Sequence, residues 1–299
     1  MSRVTPVILR GPCLITLGSL KIYSQGSVEC VPEIKSFNVS ADRGGGHVDA
    51  RYAGHVWKIT CTPMGSLQAG NYWPWAPSDI GKNVFHANAS VVIHSVTEGK
   101  TITFQPAAIT KMPSLILSSR KTPLGSMEIS ALGAPAWATT AFSDTSFDPG
   151  NITTAIYSAA LGARSAPYDA IGAREGFEIM PQMAVQEVDD DHAGVAAIIL
   201  TDIWCDVQFA PNNLSRAQFE ELVPLSGSNV LVPGESFTKL NEDLVIDGDP
   251  VTFTLPNAGC LERAGGFGVQ LDGNGNVKFT NRLATTTGAM DPRWTITVN

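Results

Sequence analysis

Charged side chains are scarce in this chain: Asp, Glu, Lys and Arg make up 16% of its 299 residues, against roughly 25% in ordinary soluble domains. Lys and Arg number 20, Asp and Glu 28, and the formal net charge is −8. Nucleic-acid binding by phosphate neutralisation needs clustered Lys and Arg, so the composition disfavours that function. A surface so poor in charge is typical either of a protein covered by partner subunits or of a compact β-protein with neutral loops.

Disulfide, membrane and catalytic signatures are lacking as well. The five cysteines are scattered without a C-x-x-C pair, which predicts reduced, buried thiols in a cytoplasmic protein. No run approaches the roughly 20 apolar residues of a membrane helix, and Arg10 and Pro12 interrupt the first apolar stretch, so no signal peptide is expected. The five histidines have no metal-binding spacing, and no hydrolase motif occurs. We therefore expect no enzyme activity, no metal and no cofactor.

Two acidic segments imitate metal sites. The run Asp272-x-Asn274-x-Asn276 begins like a calcium loop, but Val277 stands at the sixth position and Leu283 at the twelfth, where glycine and a bidentate glutamate are required. Its Asn-Gly dipeptide favours a hairpin turn instead. The triplet Asp189–Asp191 with His192 lacks a second segment rich in ligands, so a solvated loop is favoured there too.

An apparent repeat organises the rest of the sequence. Residues 55–63 (HVWKITCTP) resemble residues 202–211 (DIWCDVQFAP), and both patterns predict a strand that a proline ends. Trp57 and Trp204 are separated by 204 − 57 = 147 residues, about half the chain. The hypothesis is a tandem duplication with Trp57 and Trp204 at matching, buried positions of its core.

The segments that follow the two strands also correspond. Ser215 and Gln218 form a capping box, Ala217, Phe219 and Leu222 form an apolar stripe, and Pro224 ends this predicted second helix. Residues 65–74 have Gly70 and three aromatic residues in the same place, which predicts an irregular helix. Residues 91–94 and 101–106 are then echoed by residues 244–247 and 251–256.

Each half also contains two long strands around a polar loop. Residues 28–40 and 177–188 predict long strands, and strands resume with the Trp57 strand, residues 55–63, and over residues 195–209. The intervening loops are predicted to be flexible and to protrude; they consist of Asp42, Arg43, Gly44, Gly45, Gly46 and His47 in the first half, and of Asp189, Asp190, Asp191 and His192 in the second.

The predicted domains are residues 1–133 and 177–299, joined by a linker of residues 134–176. The linker contains one predicted helix of about three turns. Its features are Asp148 as the cap, Pro149 at the first helical position, Ile152, Ile156, Ala159 and Ala160 on the apolar face, and Gly162 at the end.

Several segments resemble tail tube proteins of long-tailed bacteriophages and related prophages. They are residues 107–114 (AAITKMPS), Lys121-Thr122, Leu124-Gly125-Ser126, the early Gly11-Pro12, Trp73-Pro74-Trp75, and Phe147-Asp148-Pro149. The resemblance covers most of the chain without a catalytic signature. It implies β-barrels or sandwiches with a packed helix, assembled as stacked rings around a DNA channel.

The sequence therefore predicts an all-β fold with minor α: two tandem antiparallel β-barrel or sandwich domains, each with one short helix. The predicted function is a structural virion protein of the tail tube, assembled in the host cytoplasm and contacting other tail proteins. DNA would pass through the lumen without specific binding. A trimeric ring with pseudo-sixfold symmetry is favoured and a hexamer is the alternative. The two polar loops are the candidate ring-stacking residues.

A different class of function is a carbohydrate-binding β-sandwich. Tyr72, Trp73 and Trp75 would then form a stacking platform for a sugar, whereas packing in the core or against a subunit is the simpler role for these aromatic residues.

Overall fold

The computed structural model of the chain describes residues 7–40, 47–120, 123–139, 150–161, 171–190, 194–212, 233, 243–263, 277–281 and 294–298. Within these residues the chain forms 21 strands and two 3₁₀ helices, Ser66–Tyr72 and Pro77–Asp79. The strands assemble into antiparallel sheets. This confirms the predicted all-β fold with a minor helical part.

The first eleven strands lie between residues 7 and 139. They are β1 (Val7–Leu9), β2 (Cys13–Leu17), β3 (Leu20–Tyr23), β4 (Val28–Ser40), β5 (His47–Cys61), β6 (Val91–Ser95), β7 (Lys100–Phe104), β8 (Ala107–Lys111), β9 (Leu115–Leu117), β10 (Met127–Ala131) and β11 (Ala136–Thr139).

The other ten described strands lie beyond residue 157. They are β12 (Ser158–Leu161), β13 (Ile171–Ala173), β14 (Phe177–Asp190), β15 (Gly194–Phe209), β16 (Pro211–Asn212), β17 (Leu244–Gly248), β18 (Val251–Leu255), β19 (Gly259–Arg263), β20 (Val277–Thr280) and β21 (Thr295–Val298).

The strands form four sheets with two matching topologies. Sheet 1 has the order β1-β4-β5-β10-β8 and sheet 2 the order β11-β7-β6-β2-β3. Read from its other edge, sheet 3 is β9-β14-β15-β20-β19, and sheet 4 is β21-β18-β17-β12-β13-β16. Sheets 1 and 3 thus correspond position by position, and sheets 2 and 4 differ only by the short strand β16. We call sheets 1 and 2 the first unit, and sheets 3 and 4 the second.

The long hairpins β4–β5 and β14–β15 share their irregularities. The register shifts after Lys35 and after Val39 in the first hairpin, and after Ala184 and after Val188 in the second. Both pairs of shifts are four residues apart. Aligning the hairpins on these bulges places Tyr52 with Leu200, and Trp57 with Cys205.

The same alignment places an ion pair of sheet 1 opposite an equivalent ion pair of sheet 3, with the positive and negative residues exchanged. In sheet 1, Lys58 Nζ lies 3.1 Å from Glu128 Oε1. In sheet 3, Lys278 Nζ lies 3.3 Å from Asp206 Oδ2. Lys58 and Asp206 occupy equivalent positions of β5 and β15. Both units therefore have an ion pair between the hairpin and the neighbouring strand, and the positive and negative residues are exchanged between the two units.

Strand β9 crosses the predicted domain boundary. It lies within residues 1–133 of the chain, yet it pairs with β14 of sheet 3, where it takes the place that β1 takes beside β4 in sheet 1. Strand β11, from the predicted linker, joins sheet 2 beside β7, and β12 and β13 belong to sheet 4. The predicted boundaries at residues 133 and 177 therefore do not coincide with sheet membership.

A single cluster of buried apolar side chains runs through all four sheets. Between sheets 1 and 2, the ring of Trp57 packs against Phe104 with centroids 5.2 Å apart. In sheet 3, Phe209 stacks on Phe279 and contacts Phe177. Burial of this apolar surface is the main force that holds the sheets together.

The helix predicted from Asp148 to Gly162 is wrong. Residues 150–157 have no regular secondary structure, and Ser158–Leu161 forms β12. Tyr157, Ala159 and Leu161 are buried on one side of that strand, whereas Ile156, predicted on the apolar helix face, is 87% exposed. Pairing of Ala159 with Ile246 in sheet 4 overrides the helix propensity of the alanine-rich segment.

Candidate assembly surfaces

The two predicted stacking loops connect the strands of the two long hairpins. His47 is the first residue of β5, and Asp189 and Asp190 end β14, with Asp189 exposed. The remaining predicted loop residues lie outside the described part of the chain: Asp42, Arg43, Gly44, Gly45, Gly46, Asp191 and His192. The long strands predicted on either side of each loop are present and pair with each other as hairpins.

The hairpins of the two units contact each other directly. Lys35 Nζ of β4 lies 2.7 Å from Glu187 Oε2 of β14, and β5 lies against β15. The hydrogen bond to Glu187 is the largest cause that raises the pKa of Lys35. Both side chains are partly exposed, so solvent screens this ion pair and its contribution is mainly to fix how the hairpins meet.

A segment of the first unit also pairs with the outer edge of β15. Gly81 N donates to Leu200 O over 2.7 Å, Leu200 N donates to Lys82 O over 3.0 Å, and Val84 N donates to Ile198 O over 2.8 Å. Leu200 and Ile198 are almost fully buried. The first unit therefore adds a short extended segment to a sheet of the second.

Asp79 fixes the turn that delivers this segment. Its carboxylate accepts hydrogen bonds from Ala76 N over 2.9 Å and from Lys82 Nζ over 2.9 Å. Burial, the largest single influence, raises the pKa of Asp79, but the hydrogen bonds from Lys82 and Ala76 together outweigh it, and the pKa is lowered. The ionised carboxylate thus holds the chain just before residues 81–84.

The 3₁₀ helix Ser66–Tyr72 of the first unit packs on sheet 4 of the second. A Cβ added to Gly70 would lie 3.3 Å from Ile296 Cγ2 of β21. The ring of Trp73 meets Phe253 of β18 and Trp294 edge-on, both with centroids 6.5 Å apart. An irregular helix in this place was predicted from the sequence; the second predicted helix, at residues 215–222, lies outside the described residues.

The aromatic residues proposed as a sugar platform are buried. Tyr72, Trp73 and Trp75 are 0%, 1% and 6% exposed. The indole N–H of Trp73 donates to Pro113 O, and that of Trp75 to Ile109 O, both over 2.8 Å. A stacking platform needs an open ring face, so these residues serve packing in the core instead.

The tryptophans of the apparent sequence repeat lie in different surroundings. Trp57 is buried at 5% exposure. Trp204 is partly exposed, and its N–H donates to Asp206 Oδ2 over 3.3 Å. The bulge alignment pairs Trp57 with Cys205, so the structural equivalence is shifted by one residue from the sequence match, which turns Trp204 to the other face of its strand.

The described residues contain four free, buried cysteines, Cys13, Cys30, Cys61 and Cys205. Burial raises the pKa of Cys30 and of Cys61 to about 12. Within the same part of the chain, no group of three His, Cys, Asp or Glu side chains is placed to hold a metal ion. No helix there is long and apolar enough to cross a membrane.

Three features that join the units have only weak sequence signals. They are the strand β9, the Lys35–Glu187 ion pair and the pairing of residues 81–84 with β15. Each depends on contacts between residues that are distant in the chain. The sequence around β9 (Ser114-Leu115-Ile116-Leu117) does predict a strand, but not the sheet that it enters.

Comparison of the sequence with models of known protein families gives no match, and comparison with curated protein sequences gives none either.

Proposed function

We propose that this chain is a structural subunit of a phage tail tube, which assembles into stacked rings and conducts DNA during ejection. The observation that carries the proposal is the contact between two units of the same topology within one chain. Residues 66–84 of the first unit bind β15 and sheet 4 of the second, and β9, which follows β8 of the first unit in the chain, pairs with β14. Residues 66–84 meet elements of the second unit that are not their counterparts, so this part of the contact is head-to-tail.

Head-to-tail contacts close into a ring when the rotation from one unit to the next divides a full turn. A chain with two such units needs three copies to complete a ring of six units. This ring has threefold symmetry and approximate sixfold symmetry. The alternative is a ring of six chains, in which one unit of each chain forms the tube and the other projects outward.

The long hairpins suit the stacking of one ring on the next. In the first unit, β5 is buried at Trp57, Ile59 and Cys61 but exposed at Tyr52, which lies nearer the predicted loop. Residues 42–47 and 189–192, which connect the strands of these hairpins in the chain, are the proposed contacts between rings.

The charge of the second hairpin suits a channel for DNA. Residues 177–209 contain seven Asp and Glu residues and neither Lys nor Arg. A wall of this charge repels phosphate groups and lets DNA slide without being held. A carbohydrate-binding module is disfavoured, because the tryptophans required for it are in the core.

Electron microscopy of the purified protein tests the proposal. We expect rings or tubes, and averaging of end views gives their symmetry. Persistence of single chains at every concentration and salt condition would contradict the tube. Six chains per ring would leave the tube in place and refute the arrangement with two tube units per chain.

Deletion of residues 42–47 tests the stacking loops separately. The deletion removes none of the buried residues of the described core, so the variant should remain folded and form single rings that no longer stack. Long tubes from this variant would assign the loop another role.

A further inference from the structure

The first unit covers two residues of the second unit. The equivalent residues of the first unit are exposed. In the second unit, Leu200 of β15 is fully buried where residues 81–82 pair with it, and Ile296 of β21 is partly buried against the 3₁₀ helix. Their counterparts in the first unit are Tyr52, which is 62% exposed, and Trp137, which is 53% exposed.

The register of the sheets establishes both correspondences. Tyr52 and Leu200 follow the matching bulges of their hairpins and pair with Ser36 and Val185. Trp137 pairs with Ile102 of β7, and Ile296 pairs with Phe253 of β18. Ile102 and Phe253 are themselves equivalent, because they pair with Ile93 of β6 and Ile246 of β17.

We infer that Tyr52 and Trp137 form a docking face for a second copy of this chain, which binds there through its second unit. We call these two residues with β5 and β11 around them the open face. The inference rests on the proposed function, since it specifies the contact by which neighbouring chains of a ring meet. The contact within the chain supplies its template.

The chemistry of the open face agrees with such an occupant. A half-exposed Trp and a more exposed Tyr are the residue types most enriched at the centres of protein interfaces. Strand β10 pairs with β5 from Trp57 to Cys61. Among the described strands, none pairs with the preceding part of β5 on that same side. An extended segment of a neighbouring chain can therefore bind β5 as residues 81–84 bind β15.

The contact within a chain and the proposed contact between chains differ in one ion pair. Lys35 and Glu187 join the hairpins within a chain, and the bulge alignment gives Ala184 and Asn38 as their counterparts. These two side chains cannot form an ion pair. The contact between chains therefore depends more on the aromatic residues of the open face than the internal contact does.

The test compares Trp137→Asp and Tyr52→Asp with a matched control, Ile156→Asp, in the full chain. Ile156 is an apolar residue that belongs to neither β5 nor β11, and at 87% exposure it is more exposed than either open-face residue. Circular dichroism checks folding, and mass photometry with sedimentation velocity measures assembly. We expect both open-face variants to weaken self-association at least about tenfold, while the control assembles like the wild type.

Tryptophan fluorescence gives a second readout that does not depend on a disruptive variant. Of the six tryptophans, Trp137 is the most exposed, so acrylamide should quench chiefly its emission in single chains. Assembly should protect that emission, and Trp137→Phe should assemble while lacking the quenchable component. Emission that stays equally accessible after assembly would overturn the inference.

The outcomes separate this inference from the proposed function. If the wild type and Trp137→Asp assemble equally well, the open face is refuted and the tube proposal stands. If the wild type does not assemble under any condition, both are refuted.

Discussion

Asp206 and Glu128 hold the carboxylates of the two reversed ion pairs, and Asp206 is the more deeply buried. Its side chain is 9% exposed beside Lys278, whereas that of Glu128 is 28% exposed beside Lys58. A buried charge that loses its partner costs more than an exposed one. The difference in burial therefore predicts unequal effects of the same chemical change.

We expect Asp206→Asn to destabilise the fold by about 1 to 3 kcal/mol, because Lys278 loses its counter-charge in a partly buried place. Glu128→Gln should cost less than about 1 kcal/mol. Urea unfolding of both variants measures the two changes in free energy. Equal losses would show that burial does not distinguish the two bridges.

The two tryptophans of the sequence repeat should also differ. Trp57 packs against Phe104 in the core, so Trp57→Ala should cost about 3 to 5 kcal/mol. Trp204 is partly exposed on the opposite face of its strand, and Trp204→Ala should cost about 1 kcal/mol. Thermal and urea unfolding compare the variants; a larger loss at Trp204 would contradict the one-residue shift.

The buried thiols should be inert in the folded protein. Burial raises the pKa values of Cys30 and Cys61 to about 12 and raises those of Cys13 and Cys205 as well. Since the thiolate is the reactive form, these four should not react with a thiol reagent at pH 8. All five cysteines of the chain should react in denaturant. Rapid reaction of more than one thiol would contradict the packing.

The ion pair between the hairpins should give a small, pH-dependent stabilisation. Glu187→Gln should lower stability by up to about 1 kcal/mol at neutral pH, and more than Glu33→Gln, whose carboxylate is 3.4 Å from Lys35 and half exposed. The pKa of Lys35 is raised above 10.5 by its partner. The stabilisation is therefore complete below pH 10.5 and is lost as the pH rises through the folded pKa. An unchanged difference between wild type and Glu187→Gln across that range would exclude this origin.

The acidic second hairpin should not hold DNA. At 0.15 M salt, we expect no retention of duplex DNA by the wild type in a gel-shift assay, because residues 177–209 carry no Lys or Arg. Asp189→Lys combined with Asp202→Lys should introduce weak, salt-sensitive retention. Tight binding by the wild type would contradict the proposed passive channel.

Local patterns predict much of this fold. The strands that contain Trp57 and Trp204, and the long strands before the two predicted loops, follow from the alternation of apolar and polar residues. These patterns depend on neighbouring residues alone. The same holds for the irregular helix around Gly70, where three aromatic residues and a glycine limit regular helical packing.

Pairing between distant strands is what the local patterns do not contain. Ala159 and Ala160 have helix propensity, yet β17 gives them a better partner than a helix would. Likewise, the one-residue offset between Trp204 and its counterpart depends on two bulges that only the paired strand reveals. The proposed open face at Trp137 has no sequence motif, because it is recognised only from the structural correspondence of Trp137 with Ile296.

Strand β9 makes the order of synthesis matter. Leu115–Leu117 leaves the ribosome 177 − 117 = 60 residues before the first residue of its partner β14, so the first half must keep this strand available until the second arrives. A chain severed between residues 133 and 177 would leave β14 with an open strand edge, which is a ready template for aggregation. If the halves arose by duplication, they have since become mutually dependent, and neither can be exchanged alone.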